Sequence, residues 1–146
     1  MLSSACEYGL RAALYLASLD AGGYVPIRRL SEDLGISFPF LTKIFQQLTQ
    51  AGLLTSYRGP NGGVAFTRPP GQITLKEIVV AIDGPDLFEA CVLGLPGCGE
   101  QKPCPLHAAW ATERARLDAL FAGTTLADMA DRIDQLDVRL TTRADS

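Results

Sequence analysis

The stretch ISFPFLTKIFQQLTQAGLLTSYRGPNGGVAFTR, residues 36–68, switches its apolar period from helical to alternating and so announces two kinds of element in a row. Ser37 stands where a helix cap is needed, Pro39 falls in the first turn, where a missing N–H costs nothing, and Gly52 closes the segment. Between them Leu41, Ile44, Phe45 and Leu48 form one apolar stripe. The other face presents Thr42, Lys43, Gln46, Gln47 and Gln50, donors and acceptors with one positive charge among them. After Gly52, LLTSY and VAFTR are short strand candidates around RGPNGG, a hairpin whose tip joins Arg58 and Asn61 to three glycines. Gly59, Gly62 and Gly63 permit positive φ and let main-chain N–H groups approach another surface closely. An arginine beside a bare glycine tip suits a phosphate or a minor groove.

Upstream, a short helix opens at Pro26, carries Ile27, Leu30 and Leu34 on one side, and ends at Gly35 in a left-handed cap. Two helices joined by Leu34-Gly35-Ile36-Ser37 fit a helix-turn-helix, whose second member enters the major groove by its amino-terminal end. An ordinary helical hairpin has the same spacing. The basic hairpin that follows at once tips the choice to a winged helix. An amphipathic helix from Ser4 to Leu19 precedes this unit, and Thr74 with Glu77 forms a capping box for a fourth helix, TLKEIVVAID, ended by Gly84 and Pro85.

Residues 85–104 offer only a small apolar patch around Leu87 and Phe88, and such long loops are usually functional. This one holds Cys91, Cys98 and Cys104, followed by the sole histidine, His107. A long helix is expected from Pro105 to about Phe121, with Leu106, Trp110, Leu117, Leu120 and Phe121 on a broad face suited to a dimer seam. Gly123 stops it, and Thr124 or Thr125 caps a last helix, LADMADRIDQL. The expected organisation is a winged helix-turn-helix domain over 1–83, a cysteine-bearing loop over 84–104, and a dimerisation helix with a C-terminal helix over 105–146. The fold class is mainly α, with a two-stranded wing.

Composition agrees with one globular domain: 146 residues, 47% hydrophobic and 20% charged. The net charge of −3 hides an asymmetry. Residues 23–72 hold Arg28, Arg29, Lys43, Arg58 and Arg68 against Glu32 and Asp33, a balance of +3, whereas residues from 73 onward sum to −5. Positive charge gathered on one portion is a DNA-binding footprint. No run of about 18 apolar residues appears, and the amino terminus lacks the order of a secretory signal, so a cytoplasmic protein without membrane contact is expected. In a reducing compartment clustered cysteines are metal ligands or redox groups more often than disulfides. No nucleophile, base and orienting group stand at enzymatic positions, which argues against an enzyme.

Three blocks, EYGLRAALYLASL, residues 36–66 of the opening stretch, and C-x6-C-x5-C-P-L-H, together resemble the IscR/NsrR family of bacterial winged-helix transcription regulators, which carry iron-sulfur clusters. The resemblance covers residues 1 to about 136. It implies a homodimer on a two-fold double-stranded DNA operator, with affinity set by a cluster held by Cys91, Cys98 and Cys104. The fourth ligand varies within the family; here it is His107, three residues after Cys104, or Glu7 contributed across the dimer. The Cys-Pro-Leu-His ending favours 2Fe-2S, with 4Fe-4S second. Zinc is the rival metal, giving a zinc-stabilised DNA-binding module, although zinc sites usually begin with a tighter cysteine pair. The DNA contacts expected are Arg28, Ser37, Phe38, Pro39, Phe40, Thr42, Lys43, Gln46, Gln47, Arg58, Asn61, Gly62 and Gly63. Thr42 replaces a glutamate that governs site choice in some members, Pro39 replaces a small polar residue, and the C-x6-C spacer is one residue longer than usual.

Overall fold

The computed structural model describes residues 2–96, 102–136 and 140, with the backbone alone for 134–136. The described chain is mainly helical, with one two-stranded antiparallel sheet, and its order is helix, helix-turn-helix, wing, then four further helices. Helix α1, Ser4–Leu19, starts at Ser3, whose hydroxyl oxygen accepts the Cys6 N–H at 3.0 Å. It runs through the middle of the core, burying Ala12, Ala13, Leu14 and Leu16. Gly9 lets it lie close to its neighbours: a Cβ there would stand 2.3 Å from the Ile82 Cδ1 atom.

Helices α2, Ile27–Leu34, and α3, Phe38–Gln50, form the helix-turn-helix. Gly35, at φ +68°, reverses the chain while its N–H and that of Ile36 both return to the Ser31 carbonyl. Ser37 caps α3 by accepting the Phe40 N–H at 3.3 Å. The expected stripe of Leu41, Ile44, Phe45 and Leu48 is the buried face of α3. Strands β1, Leu54–Tyr57, and β2, Gly63–Phe66, make the wing, with Leu54 opposite Phe66 and Tyr57 opposite Gly63.

At the wing tip the Gly62 N–H donates to the Gly59 carbonyl at 3.0 Å, with Pro60 and Asn61 between them. Asn61 has φ +61°, so Pro then Asn occupy the positions that a type II turn assigns them. Two backbone bonds of 2.9 Å also join Val25 to Val64, clamping the segment before α2 to the wing. That approach requires glycine at 63, where φ is +150° and a Cβ would lie 2.0 Å from the Val25 carbonyl oxygen.

Helix α4, Leu75–Asp83, carries the expected capping box: Thr74 accepts the Glu77 N–H at 3.2 Å and Glu77 accepts the Thr74 N–H at 2.9 Å. Arg68, just beyond β2, pairs with the same carboxylate at 2.9 Å. Burial raises the Glu77 carboxyl, but the Thr74 N–H and hydroxyl together with the Arg68 guanidinium outweigh it and hold it below the usual glutamate range. Folding therefore favours the ionised form. Its contribution is present above about pH 4.3 and is lost as pH falls through the lower folded-state value. Glu77→Gln is expected to lower the urea midpoint at pH 7, and the deficit should shrink toward pH 3. Both side chains are 38–40% exposed, so the charge part is under about 1 kcal/mol. An equal deficit at both pH values would show that the charge contributes nothing.

A one-turn helix, α5, Asp86–Glu89, stands where the sequence suggested only an apolar patch, and it buries Phe88. Helix α6, His107–Ala122, begins two residues later than Pro105, which lies in the turn that leads into it. Its face divides. Phe121 packs edge-on to Phe88 at 5.7 Å, and the indole N–H of Trp110 donates to the Ala90 carbonyl at 2.9 Å, while Leu106 and Leu120 are 48% and 59% exposed. Lys76 ties α4 to α6 through both Asp118 oxygens at 2.9 and 3.0 Å, with its ammonium 5.2 Å from the Phe88 ring centroid. Helix α7, Leu126–Leu136, returns to pack on α1, with Leu126 fully buried and its N–H bonded to the Ile73 carbonyl. No described helix is long and apolar enough to cross a membrane.

Candidate DNA interface and cysteine loop

Because α3 is capped and seated by its apolar stripe, its polar face is left to form one wall of a cleft whose other wall is the wing. The cleft has a volume of about 700 Å³, with Arg28, Phe38, Thr42 and Gln46 on the helical side and Tyr57 and Arg58 on the wing side. Among the described residues Arg28, Lys43 and Arg58 make no salt bridge, whereas Arg29, Arg68, Lys76 and Arg116 each pair with a carboxylate. Among the described residues, three of the cations without a carboxylate partner thus lie on the helix-turn-helix and wing.

The expected contact residues are not equivalent. Pro39, Lys43 and Gln47 are exposed on α3, Gly62 and Gly63 line the cleft, and Asn61 is exposed at the wing tip. Ser37 keeps its hydroxyl hydrogen available while its oxygen caps α3. Thr42 donates its own hydroxyl to the Phe38 carbonyl at 2.8 Å, so its oxygen faces the cleft chiefly as an acceptor. Phe40 turns away, half-buried, with its ring edge-on to Tyr8 of α1 at 5.6 Å. Sequence reasoning passed over Tyr57, which lines the cleft and stacks against Tyr24 at 5.7 Å, since a tyrosine ending a strand carries no distinguishing local signal.

The cysteine loop leaves from the end of α5. Trp110 and Arg114 of α6 both donate to the Ala90 carbonyl, at 2.9 and 3.1 Å, and Arg114 also reaches the Glu89 carbonyl at 2.8 Å. The peptide before Cys91 is therefore fixed to α6, and Cys91 is buried. At the other end of the loop the His107 N–H donates to the Cys104 carbonyl at 3.0 Å, so these two residues enter α6 through one turn, both half-buried. Cys98 lies outside the described residues. Glu7 is exposed in the first turn of α1. Its neighbour Cys6 is fully buried with Val79 and Phe88, and burial first, then the Asp83 carboxylate, pushes its thiol up to about 12. Such a thiol is inert. Among the described residues no group of three acidic, cysteine or histidine side chains converges as a metal set. Three thiols with one imidazole remain a donor chemistry suited to an iron-sulfur cluster.

A capped helix-turn-helix joined to a Gly-tipped wing across a cleft lined by Arg28 and Arg58 defines a winged-helix DNA-binding protein. The chain belongs to the Rrf2 family, described as iron-dependent transcriptional regulators, which matches residues 2–132. It is 34% identical over 137 residues to the HTH-type transcriptional regulator IscR of Cronobacter sakazakii, covering 94% of this chain and 84% of that one. The IscR of Citrobacter koseri is 33% identical over the same length, with 94% and 83% covered. Among solved structures, CymR, the global cysteine regulator of B. subtilis, superposes with a TM-score of 0.77 at 25% identity, covering 90% of this chain and 96% of that one. The T. potens IscR gives 0.76 at 24% identity, covering 95% and 92%. These relatives are transcriptional regulators, not enzymes, and the chain is a regulator of that type.

Proposed function

We propose that the chain acts as a homodimer on two-fold operator DNA and that an iron-sulfur cluster held by Cys91, Cys98 and Cys104 sets its affinity. His107 completes the ligand set in preference to Glu7 of the partner subunit, and 2Fe-2S is preferred to 4Fe-4S. The observation that carries this is the attachment of both loop ends to α6: Trp110 and Arg114 hold the peptide before Cys91, and Cys104 turns directly into His107. Residues that grip one centre from both ends of the loop therefore act on a single helix. The exposed Leu106 at the cap of α6 and Leu120 on it supply an apolar seam for a second copy. Through Lys76 and Asp118 the same helix bears on α4, and α4 packs on α3. When bound, the cluster supplies a change of charge and redox state; the chain's part is to pass a shift of α6 to the spacing of two recognition helices.

Arg58 at the wing, with Ser37 capping α3 and Pro39, Lys43, Gln46 and Gln47 on it, would meet the DNA. An operator selected from a random-sequence duplex library by anaerobically purified protein provides the probe. Cluster-loaded and apo protein are expected to differ in affinity for it by about 5- to 150-fold at fixed salt. Equal affinities would remove the sensing role. Iron, sulfide and zinc analysis of the same preparation tests the second reading, because a colourless zinc-loaded protein would make the loop a structural metal site.

A further inference from the structure

Phe38 begins α3, is 36% exposed and lines the cleft. The Arg28 guanidinium carbon lies 4.5 Å from the Phe38 ring centroid, well inside the range of a cation–π contact. Helix α2 presents two consecutive arginines, and they are used differently. Arg29 pairs along its own helix with Asp33 at 3.6 Å, whereas Arg28 crosses to the next helix and has no salt bridge among the described residues. A guanidinium laid on a ring keeps its N–H donors in the plane of its rim, where they remain able to meet a phosphate.

We propose that Phe38 is a positioning residue: it contributes to DNA binding by holding Arg28 at the edge of the cleft, opposite Arg58, ready for a backbone phosphate. This rests on the reading of the cleft as a DNA interface. Prior stacking reduces the rotamer freedom that Arg28 loses on binding, so the ring adds affinity without touching a base. The alternative for an exposed phenyl at the head of a recognition helix is direct apolar contact with a thymine methyl. The two differ in whether the effect of the ring requires the arginine.

The test is a double-mutant cycle on the full-length protein with the selected operator, each variant titrated across 50–200 mM salt after its urea midpoint has shown it folded. Arg28→Ala is expected to reduce the salt slope by about 0.9, the share of one phosphate. Phe38→Leu should weaken binding about two- to fivefold in the native background and have no effect in the Arg28→Ala background. Phe38→Trp should keep native affinity, since indole is at least as good a platform. The proposal is overturned if Phe38→Leu costs the same with and without Arg28, if it costs nothing in either, or if Phe38→Trp fails as badly as leucine. Arg58→Ala separates the layers: should it weaken binding and lower the slope while Arg28→Ala does neither, the cleft remains a DNA interface and this proposal alone falls. Should neither arginine matter, the DNA reading of the cleft falls with it.

Discussion

Cys104→Ser protein purified without oxygen is expected to be colourless, with iron and sulfide falling from a cluster's complement to background, while its far-ultraviolet circular dichroism and urea midpoint stay near native. The argument is chemical before it is structural. Iron-sulfur clusters are held by thiolates, and a serine hydroxyl is a far poorer donor to that iron. Cys104 is half-buried in a turn rather than in the core, so exchanging its sulfur for oxygen leaves the packing intact. The same measurement ranks the fourth ligand. His107→Ala should give a cluster that is labile or absent, and Glu7→Ala one that is retained, because the Cys104 carbonyl bond fixes His107 beside the proposed ligand Cys104. Retention in His107→Ala with loss in Glu7→Ala would transfer the role to the carboxylate. A Cys104→Ser protein that kept full iron and colour would remove the loop from the site altogether.

Elements written into contiguous residues were legible from the sequence, and those made by distant partners were not. The bounds of α1 to α4, the Gly35 reversal, the Ser37 cap and the Thr74–Glu77 box each depend on side chains within four positions, where capping chemistry and helical period suffice. The Val25–Val64 clamp is a single-residue bridge between segments nearly forty positions apart, with no period to betray it. The same holds for the return of α7 onto α1 and for the Trp110 bond to Ala90. At the site, charge and exposure could be expected of Arg28 and Phe38 individually, but their stacking joins two helices and is a fact of the turn between them. Phe40 shows the converse: it lies on the helix that reads as DNA-facing, yet Tyr8 of another helix draws it inward. The three loop cysteines were conspicuous because they crowd a short Gly- and Pro-rich stretch, whereas what fixes Cys91 in space comes from α6.

Phe45→Ala is expected to be strongly damaging to stability, because among the described residues Phe45 is the largest side chain with less than 2% exposure and stands at 1%. It lies in the α3 stripe between Leu41 and Leu48 and also forms part of the cleft floor, so truncating it opens a cavity directly beneath the recognition helix and wing. Removing a buried phenyl ring costs about 3–5 kcal/mol, against a total of about 5–15 kcal/mol for a domain. With a urea slope of about 1–3 kcal/mol per molar, the midpoint should fall by roughly 1–5 M at equal protein concentration. A cost below about 1 kcal/mol would mean that α3 is not seated by this ring. Weaker DNA binding alone would not distinguish this variant from Arg58→Ala, but the salt dependence does. Phe45→Ala at most halves the folded population and leaves every phosphate contact in the molecules that remain, so affinity drops no more than about twofold and keeps the native salt slope. Arg58→Ala leaves the population folded and removes a charge, so the slope itself declines by about 0.9. A core residue and a contact residue on adjoining walls of one cleft are thus told apart by the ions released when DNA binds.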